Sequence, residues 1–183
     1  MKKGMKVTGF LVVLMLFFVG FSRQAHCQTD IDALINEAEQ GDALAQNKLG
    51  KAYFDGNGVA MNIEKAFTWF EKAANQGLVD AQMAMGYGYE SGIGVEPDNK
   101  KAITWYEKAA DQGEASAQFS LGMLNYISRD YMEALKWFNI AAAFGNENAT
   151  LHQGRTAEKL PQGHIEKAQE LANKWIEEYS SKQ

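Results

Sequence analysis

The chain has 183 residues, a net charge of −5, one cysteine and two prolines. An acidic chain without a basic stripe is a poor nucleic-acid binder, because phosphate contacts need clustered Lys and Arg. The length suits one to one and a half domains with a real core.

The first predicted element, residues 1–27, reads as a targeting segment and stands apart from the fold. Lys2, Lys3 and Lys6 form a positive start, and Val7 to Phe21 is an uncharged, mostly apolar run of 15 residues. That run is shorter than the roughly 20 residues a membrane-spanning helix needs. A cleaved secretory signal is expected, with Ala25 and Cys27 at the −3 and −1 places of the cut and export to the periplasm or beyond. An uncleaved anchor is one alternative. A lipid anchor at Cys27 is another, although Gln24-Ala25-His26-Cys27 fits a bacterial lipobox poorly. Cleavage after Cys27 leaves no cysteine, so no disulfide or thiol chemistry. It also removes Lys2, Lys3, Lys6 and Arg23 but no acid, moving the net charge from −5 to −9.

From residue 41 onward the chain repeats itself. Phe67 to Gly86 and Ile103 to Gly122 are identical at 11 of 20 positions and lie 36 residues apart. Trp69, Trp105 and Trp137 follow steps of 36 and 32, as do Ala66, Ala102 and Ala134. Ala45, Ala81, Ala117 and Ala149 obey the same steps, as do Gly50, Gly86, Gly122 and Gly154. Gln46, Gln82 and Gln118 hold the 36-residue step. These steps divide the chain into repeats at 41–76, 77–112 and 113–144.

Each unit reads as two helices. The first carries Ala45, Leu49, Ala52 and Tyr53, or Ala81, Met85, Gly88 and Tyr89. A turn follows, Asp55-Gly56-Asn57-Gly58-Val59 or Ser91-Gly92-Ile93-Gly94-Val95. The second helix carries Ala66, Trp69, Phe70 and Ala73 at i, i+3, i+4, i+7, one apolar stripe at helical period. Asn75-Gln76-Gly77 ends it, with glycine where a helix terminus favours a left-handed residue. Nothing sustained alternates at period two, so the chain is expected to be all-α. Gly50, Gly86 and Gly122 sit inside first helices, at a cost of roughly 0.5–1 kcal/mol each relative to alanine. The expected reason is close approach of the partner helix at its alanine positions. A lone hairpin cannot cover its own apolar face, so the units must stack as an α/α solenoid.

The run A-x-A-Q-x-x-L-G-x-x-Y, then G-x-G-V, then K-A-x-x-W-x-x-K-A-A-x-x-G resembles the Sel-one-like repeat family, a relative of the tetratricopeptide repeat. In the first unit it is carried by Ala43, Ala45, Gln46, Leu49, Gly50, Tyr53, Gly56, Gly58, Val59, Lys65, Ala66, Trp69, Lys72, Ala73, Ala74 and Gly77. The third unit departs: its turn, Tyr126 to Asp130, is four residues shorter and lacks G-x-G-V. The resemblance implies a right-handed superhelical solenoid of helix-turn-helix repeats. It also makes Asp30 to Gln40, within 28–40, the second helix of an absent preceding unit, and so an N-terminal cap. In 145–183, Thr150 to Leu160 is expected as the first helix of a partial fourth unit. His164 to Tyr179, with Ile165, Ala168, Leu171, Ala172, Trp175 and Ile176, is expected as a C-terminal capping helix.

Catalytic patterns are absent. His152 and His164 lie in the tail without zinc-ligand spacing, and there is no G-x-S-x-G, no S-x-x-K serine–lysine pair and no phosphate-cradling loop. Asp80, Glu90, Glu96 and Asp98 read as a solvated face, because no calcium-binding loop pattern is present. No cofactor or metal is expected. The resemblance instead implies a non-catalytic adaptor for an unidentified protein partner. With Ala45 and Leu49 placed toward the core, the opposite face of the first helices holds Asn47, Lys51 and Phe54, then Met83, Tyr87 and Glu90, then Phe119, Met123 and Tyr126. Related folds turn their first helices to the inner wall, so Phe54, Met83, Tyr87, Phe119, Met123 and Tyr126 resemble a partner-binding groove. The competing expectation is that successive first helices pack edge to edge and bury these residues. An immunity or inhibitor protein against a secreted effector is an alternative role. A cell-wall or β-lactam-processing hydrolase is the alternative of another class.

Overall fold

A computed structural model describes residues 30–182; the expected targeting segment and Cys27 lie outside them. Among the described residues the secondary structure is entirely helical. The helices are α1 (30–39), α2 (Ala43–Asp55), α3 (Ile63–Asn75), α4 (Val79–Ser91), α5 (Asn99–Ala110), α6 (Ala115–Ile127), α7 (Tyr131–Ala143), α8 (Glu147–Ala157) and α9 (Gln162–Ser180). Each packs on its chain neighbour from α2 to α8, and α9 packs on α7. α2, α4, α6 and α8 are first helices; α3, α5 and α7 are second helices.

Local chemistry sets the boundaries. Asn62, Asp98 and Asp130 occupy one position of the repeat and cap the three second helices, accepting from Lys65 N at 2.9 Å, Lys101 N at 3.1 Å and Glu133 N at 3.1 Å. Such caps contribute about 1 kcal/mol each. Asn146 likewise accepts from Ala149 N at 3.2 Å, so α8 begins at Glu147, three residues before the expected Thr150. Gly77 turns α3 into α4 at φ 92°, a left-handed conformation that glycine adopts without a Cβ clash. In the third unit the shortened turn puts Arg129 at φ 66°, alone among the described non-glycine residues.

Tight packing answers the question of the mid-helix glycines. A Cβ on Gly50, Gly86 or Gly122 would lie 2.6, 2.5 or 2.5 Å from the ring of Phe70, Tyr106 or Phe138. The nearest neighbour is an aromatic ring in all three, and at Gly50 the carbonyl of Ala66 also stands 3.1 Å away, so the partner helix approaches closely as expected. Burying such a ring contributes roughly 1.5–3 kcal/mol, which exceeds the helix-propensity loss.

Glutamines join the units. Gln46 Nε2 donates to Ala38 O at 3.1 Å, and Gln82 Nε2 to Ala74 O at 3.3 Å. Each also accepts from the glutamine that ends the following second helix: Gln76 to Gln46 and Gln112 to Gln82, both at 2.8 Å. Thus α1 supplies to α2 the same carbonyl that α3 supplies to α4. In the third unit Gln118 Nε2 reaches Ala110 O at 3.4 Å, but Phe144 stands where a third relaying glutamine would be. The Gln118 Oε1 is buried without a hydrogen-bond partner among the described residues.

The helix α9 takes an unexpected place. Had it continued the repeat, the stripe of Ala134, Trp137, Phe138 and Ala141 would be matched by Glu166, Gln169, Glu170 and Asn173, all polar. Its apolar residues fall out of that register, so it lies on α7. Trp175 meets Trp137 edge-on at 5.9 Å and Phe144 at 5.8 Å, while Tyr179 OH donates to Gln112 O at 3.3 Å. Gly154 of α8 keeps the mid-helix glycine but has nothing within 4 Å of its Cβ position.

Candidate interaction surface

The three tryptophans occupy equivalent places, each packed on the cluster between the first helix of its own unit and the helix before that. Lys72 Nζ lies 3.8 Å from the centre of the Trp69 ring, and Lys108 Nζ 3.8 Å from that of Trp105. These cation–π pairs face outward from the second helices. At Trp137 the equivalent of those lysines is the buried Ile140; Lys136 Nζ lies 4.5 Å from the centre of the ring, and Trp175 meets the indole edge-on.

On the first helices, the sequence-derived stripe separates into three rows. The row of Asn47, Met83 and Phe119 is a seam between units. Asn47 is only 5% exposed, contrary to its expected place on the outward face. Met83 packs against the cluster formed between α5 and α6. Phe119 lies 5.7 Å from Phe138 and 5.3 Å from His152. The row of Phe54, Glu90 and Tyr126 is half-buried. Phe54 meets Phe67 at 6.5 Å, and Tyr126 meets Tyr131 at 5.4 Å. The row of Lys51, Tyr87 and Met123 is the open one: Tyr87 is 53% exposed and Met123 half-buried. Lys51 Nζ reaches Asp80 Oδ2 on the next first helix at 3.3 Å, which shows that adjacent first helices share one wall. Ile127, 65% exposed at the end of α6, extends its apolar area.

Two features escaped the sequence reading. One is His152, which was weighed only as a metal ligand and instead sits among Phe119, Tyr126 and Phe138, at 5.3, 6.5 and 5.2 Å. The other is a polar pair in the middle unit: Tyr106 OH donates to Glu90 Oε2 at 2.7 Å. Burial, then the hydrogen bond and charge of Glu90, push the Tyr106 phenol well above its ordinary value. The signal was present, since Tyr106 stands where Phe70 and Phe138 stand and Glu90 where Phe54 and Tyr126 stand. Glu107 is also raised, by burial and then by the neighbouring Asp111. Among the described residues no three His, Cys, Asp or Glu side chains stand together as metal ligands, and no helix is long and apolar enough to cross a membrane.

Stacked helical hairpins joined by repeated glutamine contacts and glycine–ring contacts define an α/α solenoid repeat protein. The Sel1 repeat family model matches residues 43–78, 79–114 and 115–146, and the chain belongs to that family. It is similar to a protective antigen of uropathogenic Escherichia coli strains that displays an SLR fold: 36% identity, TM-score 0.73, 83% of this chain and 33% of that one. It is also similar to a Sel1 repeat protein from Oxalobacter formigenes: 33% identity, TM-score 0.66, 79% of this chain and 60% of that one. The chain thus spans a third of the first relative and under two thirds of the second. No curated protein matches it in sequence. The Sel1 repeat fold is typical of protein–protein interaction scaffolds.

Proposed function

We propose that the protein is an exported, non-catalytic adaptor that holds a protein partner against the wall of its first helices. The observation that carries this reading is the apolar surface left after the units have packed. Tyr87 stands more than half exposed at the middle of the wall, with Met123 and Ile127 on the next first helix. Large exposed apolar side chains grouped on one face mark interaction sites, and methionine adapts readily to a partner's shape. In this reading Tyr87 and Met123 touch the partner. Phe54, Met83, Phe119 and Tyr126, seated deeper, shape the floor beneath them. The helices α1 and α9 shield the N-terminal end of the stack and the outer face of α7.

The double variant Tyr87→Ala, Met123→Ala tests the wall. The protein and the variant are each used to capture partners from the envelope fraction, with circular dichroism confirming equal helicity. The partner held by the parent is expected to be lost from the variant; equal capture would overturn the reading. Export is supported by Lys2, Lys3 and Lys6 ahead of the apolar run Val7 to Phe21, and similarity to a protective antigen fits a chain that leaves the cytoplasm. The intact mass of the envelope form is expected to begin at Gln28. A mass that retains Met1 would reject cleavage, and added acyl mass on Cys27 would establish the lipid anchor instead.

A further inference from the structure

The middle unit differs from its neighbours at two linked positions on the proposed wall. Where the first and third units carry the rings of Phe54 and Tyr126, it carries the carboxylate of Glu90; where they carry Phe70 and Phe138, it carries the hydroxyl of Tyr106. The hydroxyl holds Glu90 Oε2 at 2.7 Å and so fixes the carboxylate in one orientation. Holding a half-buried carboxylate against the Tyr106 ring costs free energy unless a cation or several donors compensate it. Among the described residues, no lysine or arginine forms an ion pair with Glu90. One turn away stands Tyr87, three residues earlier on the same helix face, its ring 53% exposed. An oriented carboxylate beside an open aromatic face matches one kind of group, a cationic side chain that lies over the ring while its charge meets the carboxylate.

We infer that Tyr87 and Glu90 together receive a lysine or arginine side chain of the protein partner. This deepens the first-helix wall proposed above and rests on it. The partner accordingly presents a basic residue at its centre of contact, flanked by apolar residues that meet Met123 and Ile127. The chain's net charge of −5 favours the approach of such a partner.

The test is a titration of isotope-labelled protein with the pentapeptide acetyl-Ala-Ala-Arg-Ala-Ala-amide, followed by NMR at the Glu90 carboxyl carbon and the Tyr87 ring. A peptide with norleucine in place of arginine is the control. Saturable shifts at both groups are expected with the arginine peptide and none with the norleucine peptide. Each of Glu90→Gln and Tyr87→Leu is expected to weaken binding roughly fivefold. Glu90→Gln keeps an acceptor for the Tyr106 hydroxyl, so the fold is retained. Shifts confined to the acidic helices α1 and α9, or equal binding by Glu90→Gln, would overturn the inference. If that happens while Tyr87→Ala, Met123→Ala still loses its captured partner, only the basic-residue assignment falls. If the double variant keeps its partner, the wall itself is wrong.

Discussion

The second and third units share the alanine, glutamine and glycine of their first helices (Ala81, Gln82 and Gly86; Ala117, Gln118 and Gly122) and finish their second helices differently. In the second, Trp105 carries Lys108 over its ring and Gln112 relays to Gln82, so every buried amide oxygen of that junction is met. In the third, Ile140 replaces the lysine and Phe144 the relaying glutamine. Trp137 and Phe144 then pack under Trp175 of α9, while the Gln118 Oε1 loses its donor. The first solution keeps Lys108 on the outer face of the helix in water. The second buries that face beneath another helix and leaves one polar atom unmet. Apolar contact from three aromatic rings outweighs a hydrogen bond whose net contribution is about 1 kcal/mol. The same repeat is thus closed by solvent at one position and by a covering helix at the next, depending on two residues.

The largest effect on this contrast is expected from Trp175→Ala. Removing the indole uncovers both Trp137 and Phe144 and should lower stability by about 3 kcal/mol, measured by urea unfolding. Trp69→Ala, whose ring is half-exposed beneath Lys72, should lose less than half as much. A loss below about 0.5 kcal/mol for Trp175→Ala would show that α9 adds nothing to the third unit.

A sharper comparison uses glycines at one register position. Gly86→Ala forces a methyl into the Tyr106 ring and should destabilise by about 1–2 kcal/mol despite the better helix propensity. Gly154→Ala meets open space and should stabilise by about 0.5–1 kcal/mol. Opposite signs in thermal melts establish that the ring, not the helix, requires glycine. The same sign for both would refute it. The glutamine relay comes next. Gln112→Ala leaves the Gln82 Oε1 as unmet as the Gln118 Oε1 and should cost about 1 kcal/mol by chemical unfolding.

The smallest effect concerns pH. The Tyr106 phenol is raised in the folded protein by burial and by Glu90, so folding favours the protonated form. That contribution is complete below the unfolded tyrosine value of about 10 and is lost as pH rises above it. Tyr106→Phe should therefore change stability by no more than about 0.5 kcal/mol at neutral pH and flatten the decline above about pH 10. An unchanged alkaline decline in the variant would assign the loss to other groups.

Much of the fold was legible because the repeat spacing is written in residues that pack. Trp69, Trp105 and Trp137 recur in step, and the structure seats them equivalently. The glycines recur in step too, but periodicity could not tell whether alanine or an aromatic ring lay opposite. The six candidate wall residues came from helical period together with the resemblance that turns first helices to the inner wall. Their separation into a seam row, a floor row and an open row did not, because a wheel drawn for one helix omits the helix of the next unit. Asn47 shows the error most plainly: a wheel for α2 places it outward, and it is only 5% exposed.

What the amino-acid order determined without help is the unit: two helices, their caps, their glycines and their register, all set by contacts within about one repeat length. What the tertiary structure alone decided is how the ends are closed and which side chains stay open. The placement of α9 on α7 and the exposure of Tyr87 depend on surfaces brought together from different units. Packing across such distances follows from shape and the burial of apolar area, and no local periodicity encodes it.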